Sequence, residues 1–204
     1  MAIRIFQIGF NKCGTRTIHH FLGVNGIKGV HWDRGALAHT MFRNLAEGQS
    51  LIRGYEQFES FSDMESVGRE TALEAYKLFP QLAQQFPDAV FILNTRNRED
   101  WIKSRFNHGN GRYAARWKNV LKITDDHKLA NVWRADWDRH HTSVQDFFAS
   151  GSHRFFQFDI AKDSPDLFAR TIVERPIDTT KYQARGRTVG NPQPPRTLNS
   201  NFSL

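Results

Sequence analysis

The stretch IGFNKCGTRTI, residues 8–18, constrains this chain more than any other. It follows IRIFQI, residues 3–8, whose Ile and Phe content reads as a short buried strand. It leads into a helical pattern over Thr15–Val24 that the Gly/Asn cluster from Gly23 to Gly26 ends. Between strand and helix, Gly9 and Gly14 frame a turn of the kind that presents backbone N–H groups, and the positive end of a helix dipole, to an anion. Lys12 sits inside that turn and adds a point charge. A nucleotide hydrolase would place Lys and then Ser/Thr after the second glycine, with the hydroxyl on Mg²⁺. Thr15 and Arg16 stand there instead, so the metal-binding half of that pattern is absent. Taken alone, two glycines at this spacing also suit a tight turn packed closely on its neighbours.

The rest of the chain alternates strand and helix patterns. A strand is expected over Ile27–Trp32, a helix from there to about Ala46, and a strand near Phe58–Phe61. A helix is expected over Thr71–Phe86, stopped by Pro87. AVFILNTR, residues 89–96, is the clearest strand, and its unbroken apolar run predicts burial on both faces of a parallel sheet. Asn97 is a suitable N-cap for a helix from Arg98, with Asp100 as its capping partner. Further helices are expected over 112–122 and 128–149, the second with Trp133, Trp137, His140, Val144 and Phe148 on one face. RFFQFDI, 154–160, reads as a last strand and Asp166–Val173 as a last helix. This order predicts an α/β fold of three layers with a mostly parallel central sheet and a P-loop-like strand–loop–helix at its start. One domain is expected over residues 1–187, and the tail at 188–204, with its NPQPP, is expected to be extended or disordered.

Composition narrows the partners. The formal net charge of +7 favours polyanions: nucleic acid, an anionic membrane, sulfated sugars or nucleotide phosphates. A single cysteine, Cys13, rules out an internal disulfide and a cysteine metal centre. No run approaches the roughly 20 apolar residues of a membrane span. MAIRIFQIGF enters a strand at once rather than reading as a signal peptide, so cytoplasm is the expected compartment. Without a cysteine cluster or an HExxH pattern, no metal site is expected.

A second constellation bears on the first. Arg96 closes the strand 89–95, and carboxyl strand ends are where open α/β sheets bind ligands. Ser104 follows on the second turn of the next helix, placed to reach back toward the same anion. An ion pair with Glu99 or Asp100 is the ordinary alternative for Arg96. Together, KCGTRT and FILNTRNREDWIKSRFN resemble the sulfotransferases that use 3′-phosphoadenosine 5′-phosphosulfate. The first is similar to that family's 5′-phosphosulfate loop and the second to its 3′-phosphate segment, a strand followed by Arg-x7-Ser. The likeness covers about 3–24 and 88–107, with DWDRHHTSVQDFF and FFQFDI similar to later elements of bacterial members. Thr17 stands where cytosolic members often carry Trp, closer to the Golgi-type and bacterial branches.

The resemblance implies sulfuryl transfer without a metal, with that donor as co-substrate. It implies that Lys12 contacts the leaving oxygen and that the loop from Lys12 through Cys13 binds the donor. Gly14, Thr15, Arg16 and Thr17 would hold its 5′-phosphate, and Arg96 and Ser104 its 3′-phosphate. The family's C-terminal basic loop has a loose counterpart in Arg185-Gly186-Arg187, which also reads as a solvated basic turn. A general base of the family's usual kind is not declared here: Asp63 in FESFSDM comes first, then Glu59, then His31. His19 and His20 lie on the helix behind the loop, and of His140 and His141 at least one is expected to be packed in the core. The expected acceptor is a small molecule or glycan, with no nucleic acid and no membrane insertion.

Two rivals remain at this point. One is a P-loop kinase-like phosphotransferase, with Asp159 as its Mg²⁺ ligand. The other is a basic non-catalytic module that binds a polyanion through the aromatic-interleaved run at 98–118.

Overall fold

In the computed structural model of the chain, which describes residues 3–185, period-two alternation sorts the strand side chains onto two faces of one sheet. In β1 (Ile5–Gln7), Ile5 packs on one face and Phe6 on the other. In β6 (Val90–Thr95), Val90 and Ile92 join Ile5, while Phe91 and Leu93 join Phe6. Burial on both faces follows, as the apolar run of that strand predicts.

The sheet also contains β2 (Gly29–His31), β3 (Ser60–Ser62) and β7 (Arg154–Asp159). Its five strands are all parallel, in the order β2-β3-β1-β6-β7. From β1 the chain first fills the β3 side, with the edge strand β2 laid down before β3, and later the β6 side. The strand order therefore reverses beside the carboxyl end of β1, where ligands of open α/β sheets bind.

Helices cover both faces and make three layers. The Ile5 face is covered by α1 (Thr15–Val24) and α7 (Asp166–Thr171), through Ile18, Phe21, Leu22 and Phe168. The Phe6 face carries the larger core. It gathers Leu37 and Met41 from α2 (Ala36–Ala46), Phe79 and Leu82 from α3 (Phe79–Gln85), and Trp101 from α4 (Arg98–Phe106). It also takes Trp117 from α5 (Arg112–Leu121) and a buried stripe from α6 (Asp126–Phe148). That stripe is the expected one: Trp133, Trp137, His140, Val144 and Phe148 are all buried. Asn97 caps α4 as its sequence predicts, accepting from the N–H groups of Glu99 and Asp100 at 3.0 and 3.1 Å.

The segment from Thr71 to Phe86 departs from the expected single helix. Residues Ala72–Glu74 form β5, paired antiparallel with β4 (Glu65–Val67) in a small hairpin beside the sheet. A tight turn at Ala75–Leu78 follows, and only then α3. Pro80 explains the late start. Within a helix running from Thr71 its ring would clash with the preceding turn, whereas at the second position of α3 it costs no backbone bond.

Candidate active site

The glycine loop is held from outside rather than by its own turn. Asn94, buried at the end of β6, accepts from the Gly9 N–H at 3.1 Å and donates to the carbonyls of Phe10 and Cys13, both at 3.2 Å. Trp101 Nε1 donates to the Asn11 carbonyl at 3.1 Å. Gly9 is required by this approach, since a Cβ there would lie 2.1 Å from the Asn94 carbonyl oxygen. Gly14 precedes α1 at φ 78°, and a Cβ there would strike Ile160. Lys12 is also left-handed, at φ 62°, although it is not glycine. Such backbone costs on the order of 1–3 kcal/mol and persists where the surroundings enforce it.

The loop opens onto a cleft of about 760 Å³ at the carboxyl ends of the strands. Lys12, Gly14, Thr15, Arg16 and Thr17 line one side of it, and Arg96 and Ser104 line another. The two segments set apart in the sequence therefore meet. Arg96 Nη1 donates to the Lys12 carbonyl at 3.2 Å, bracing the loop. Neither carboxylate that offered Arg96 an ordinary ion pair takes it: Glu99 bonds Arg134 at 2.7 Å, and Asp100, which lines the same cleft, lies 3.8 Å from Lys103. Cys13 is wholly buried, and burial pushes its thiol far up, so it meets this region through its backbone alone.

Asp63 lines the same cleft, one residue past β3 and again left-handed, at φ 54°. Its Oδ1 has no hydrogen-bond partner. Burial raises its pKa, and the nearby Lys12, Arg105 and Arg16 charges hold that rise back. Burial in turn lowers the Lys12 pKa, with Asp63 opposing and Arg16 and Arg96 assisting. His31 ends β2 with Nε2 3.6 Å from Asp63 Oδ2 and Nδ1 3.0 Å from Ser62 Oγ. Burial brings its pKa down to about 4, with His19 and Arg16 adding to the effect. His31 is thus neutral at pH 7, and its contact with Asp63 is neither an ion pair nor, at that distance, a hydrogen bond.

Glu59 does not join this group. It precedes β3 at the amino end of the sheet, accepts from the Lys28 N–H at 3.2 Å and pairs with Arg175. A carboxylate at the far end of a strand cannot reach a cleft at its carboxyl end.

Behind Asp63 lies a buried polar network that the sequence does not announce. Glu65 accepts from Asn11 Nδ2 at 2.6 Å and from the Tyr113 hydroxyl at 3.2 Å, with Arg105 Nη2 at 3.8 Å. Burial raises the Glu65 pKa, and the Asp63 charge raises it further. Arg105 itself is fully buried among rings, 4.6 Å from the centre of Trp101, 4.8 Å from Trp133 and 5.0 Å from Tyr113. Asn94 left a faint signal, a polar side chain inside an apolar strand. Glu65, Asn11 and Arg105 left none, because nothing in their spacing marks them as neighbours.

The C-terminal segment closes another side. Thr17 Oγ1 donates to the Arg185 carbonyl at 3.1 Å and accepts from its N–H at 2.8 Å, which brings Arg185 to the cleft. Gly186, Arg187 and the tail at 188–204 lie outside the described residues. Asp159 also lines the cleft, but Oδ1 accepts from the Ala161 N–H at 2.9 Å in its own turn. Among the described residues no three of His, Cys, Asp and Glu stand together as a metal site, and no helix is long and apolar enough to cross a membrane. The adjacent histidines of α6 are structural. His140 Nε2 donates to the Ile8 carbonyl at 2.7 Å, and His141 bridges the Trp137 carbonyl and Thr95 Oγ1, both at 2.9 Å.

The family model of a sulfotransferase domain matches residues 4–170, which takes in the glycine loop, β6, α4 and β7. The chain belongs to the sulfotransferase family. No curated protein matches the chain as a relative. As a sulfotransferase domain it is a group-transfer enzyme, and the cleft between its glycine loop and α4 is the candidate active site.

Proposed function

We propose that this sulfotransferase domain moves a sulfuryl group from 3′-phosphoadenosine 5′-phosphosulfate to a hydroxyl or amine acceptor, in line and without a metal ion. The observation that carries the reading is the opening of Lys12, Arg96, Ser104 and Asp63 onto one cleft. Its volume falls in the usual range of nucleotide and small-molecule sites.

The bound donor supplies an activated sulfur–oxygen bond. Backbone N–H groups at the start of α1, with Arg16 beside them, suit its 5′-phosphate. Arg96, braced on the Lys12 carbonyl, has further guanidinium donors for the 3′-phosphate, with the Ser104 hydroxyl beside it. Lys12 stands where charge grows on the leaving oxygen, so its ammonium stabilises the transition state more than the ground state. Asp63 takes the acceptor's proton. Its raised pKa brings a carboxylate closer to the working pH, which suits a general base. The acceptor atom bonds to sulfur, its proton goes to Asp63, and the electron pair of the broken bond leaves with the 5′-phosphate. His31 packs beside Asp63 as a neutral ring, without a bond to it.

The test uses calorimetry, with the donor and the bisphosphate titrated in EDTA and ATP titrated separately in Mg²⁺. The donor is expected to bind without metal and to be displaced by 3′,5′-adenosine bisphosphate, and in the Mg²⁺ buffer ATP is expected not to displace it. Lys12→Ala is expected to keep donor binding within about tenfold while lowering the rate of transfer by about 10²–10³. Metal-dependent ATP binding tighter than that of the bisphosphate would replace this reading with the kinase.

A further inference from the structure

The α4–α5 hairpin carries positive charge that donor binding leaves unused. From Trp101 to Thr124 the sequence has no Asp or Glu, yet it includes Lys103, Arg105, Arg112, Arg116, Lys118 and Lys122. Arg105 is enclosed by rings, and Lys118 bonds Asp126 at 2.8 Å. Arg112 and Arg116 differ. Both are exposed, and their spacing of four puts them on one face of α5. Neither pairs with a carboxylate among the described residues. Arg112 Nε donates to the Gly109 carbonyl at 3.0 Å and Arg116 Nη1 to the Val67 carbonyl at 3.2 Å. Each guanidinium has five donors, so these single bonds orient the fork without exhausting it.

The two arginines lie close to the cleft along the chain. His108, four positions before Arg112, lines the cleft with Asn107 and Lys12. Val67 ends β4, and Glu65 at the start of that strand holds Asn11 of the loop. Arg116 is therefore anchored two strand residues, about 7 Å, from Glu65, which lies behind Asp63. That side of the cleft is polar, with Asn11, Lys12, Asn107 and His108, which suits a polyhydroxylated acceptor more than a greasy one.

The rings of the same hairpin decide the kind of anion. Trp101, Tyr113 and Trp117 are buried. A single-stranded nucleic acid is held by exposed rings that stack its bases, and this face offers cations with those rings turned inward. We infer that Arg112 and Arg116 form an acceptor subsite for an anionic oligosaccharide, gripping a carboxylate or sulfate group while a hydroxyl of the same chain reaches Asp63. The planar guanidinium fork matches either group. The inference rests on the sulfuryl-transfer reading for naming this ligand the acceptor.

The test is fluorescence anisotropy with labelled oligogalacturonate, sulfated dextran oligosaccharide, neutral dextran oligosaccharide and oligothymidylate. Saturating 3′,5′-adenosine bisphosphate is present throughout, so that donor contacts are not scored. At least one anionic sugar is expected to bind, with affinity falling as salt rises, and the neutral dextran is not. The arm that binds identifies the charged group. The double variant Arg112→Glu/Arg116→Glu is expected to weaken binding at least about tenfold. Arg112→Gln/Arg116→Gln, with an unchanged thermal melt, falls between it and the parent. Bisphosphate affinity stays the same in both variants. Equal binding of neutral dextran, no loss in either variant, or tighter binding of the oligonucleotide would overturn the inference. Should the bisphosphate fail to bind while the anionic sugars still respond to the variants, the donor reading falls and the anionic subsite stands.

Discussion

Replacing Asn94 with alanine tests how the anion loop is built. One buried side chain satisfies the Gly9 N–H and the carbonyls of Phe10 and Cys13. Truncation leaves one donor and two acceptors of the backbone without partners in a region closed to water. At roughly 1–2 kcal/mol for each of the three buried groups stranded, the loss is about 3–6 kcal/mol. That is a large share of the ~5–15 kcal/mol that holds a domain of this size. Urea unfolding would read the loss, and calorimetry would read an accompanying fall of at least about tenfold in affinity for 3′,5′-adenosine bisphosphate. Asn94→Asp sharpens the test. The carboxylate still accepts from Gly9, but it faces two carbonyl oxygens and puts negative charge beside an anion site. It is expected to be no better than alanine at pH 7. A loss below about 1 kcal/mol in Asn94→Ala, with nucleotide affinity intact, would show that the loop keeps its shape by itself and that this account of its support is wrong.

Two further outcomes follow from the carboxylates. Transfer by the parent enzyme should fall as pH drops through the raised Asp63 pKa, because a base must be ionised to accept a proton. Asp63→Asn is expected to lower kcat/KM by about 10²-fold and to flatten that acid limb; retention of both would assign the base elsewhere. Glu65 gives a stability signature. Its folded pKa lies above the unfolded value, so its contribution is greatest below the unfolded pKa and is lost as pH rises through the folded one. Glu65→Gln removes that slope, and the parent should lose at least about 1 kcal/mol relative to the variant between pH 5 and pH 8. Parallel stability curves would mean that Arg105 keeps Glu65 ionised throughout.

What was legible in the sequence was local and periodic. The strand–loop–helix at Ile8–Ile18, the apolar run 89–95, the cap at Asn97 and the stripe on α6 all state their structure within a few residues. The meeting of the Lys12 loop with Arg96 and Ser104 was legible because both follow strand ends on the ligand side of one parallel sheet. Relations across strands were not. The sequence puts a strand near Phe58–Phe61, with Glu59 inside it; the strand is Ser60–Ser62, and that shift puts Glu59 and Asp63 at opposite ends of the sheet. Residues 71–86 carry a helical composition, but Pro80 and the pairing of Ala72–Glu74 with β4 override it. The Glu65–Tyr113–Arg105 network joins residues far apart in the chain through burial alone, and no spacing rule reaches it.

The most direct measurement of the central claim is calorimetry with 3′,5′-adenosine bisphosphate against 5′-AMP, on the parent and on Arg96→Ala/Ser104→Ala. The parent should bind the bisphosphate at least about 100-fold more tightly, roughly 2.7 kcal/mol, and the double variant should bind both nucleotides alike. Equal affinities in the parent, or a preference that survives the double substitution, would mean that these two side chains do not read a 3′-phosphate in this cleft.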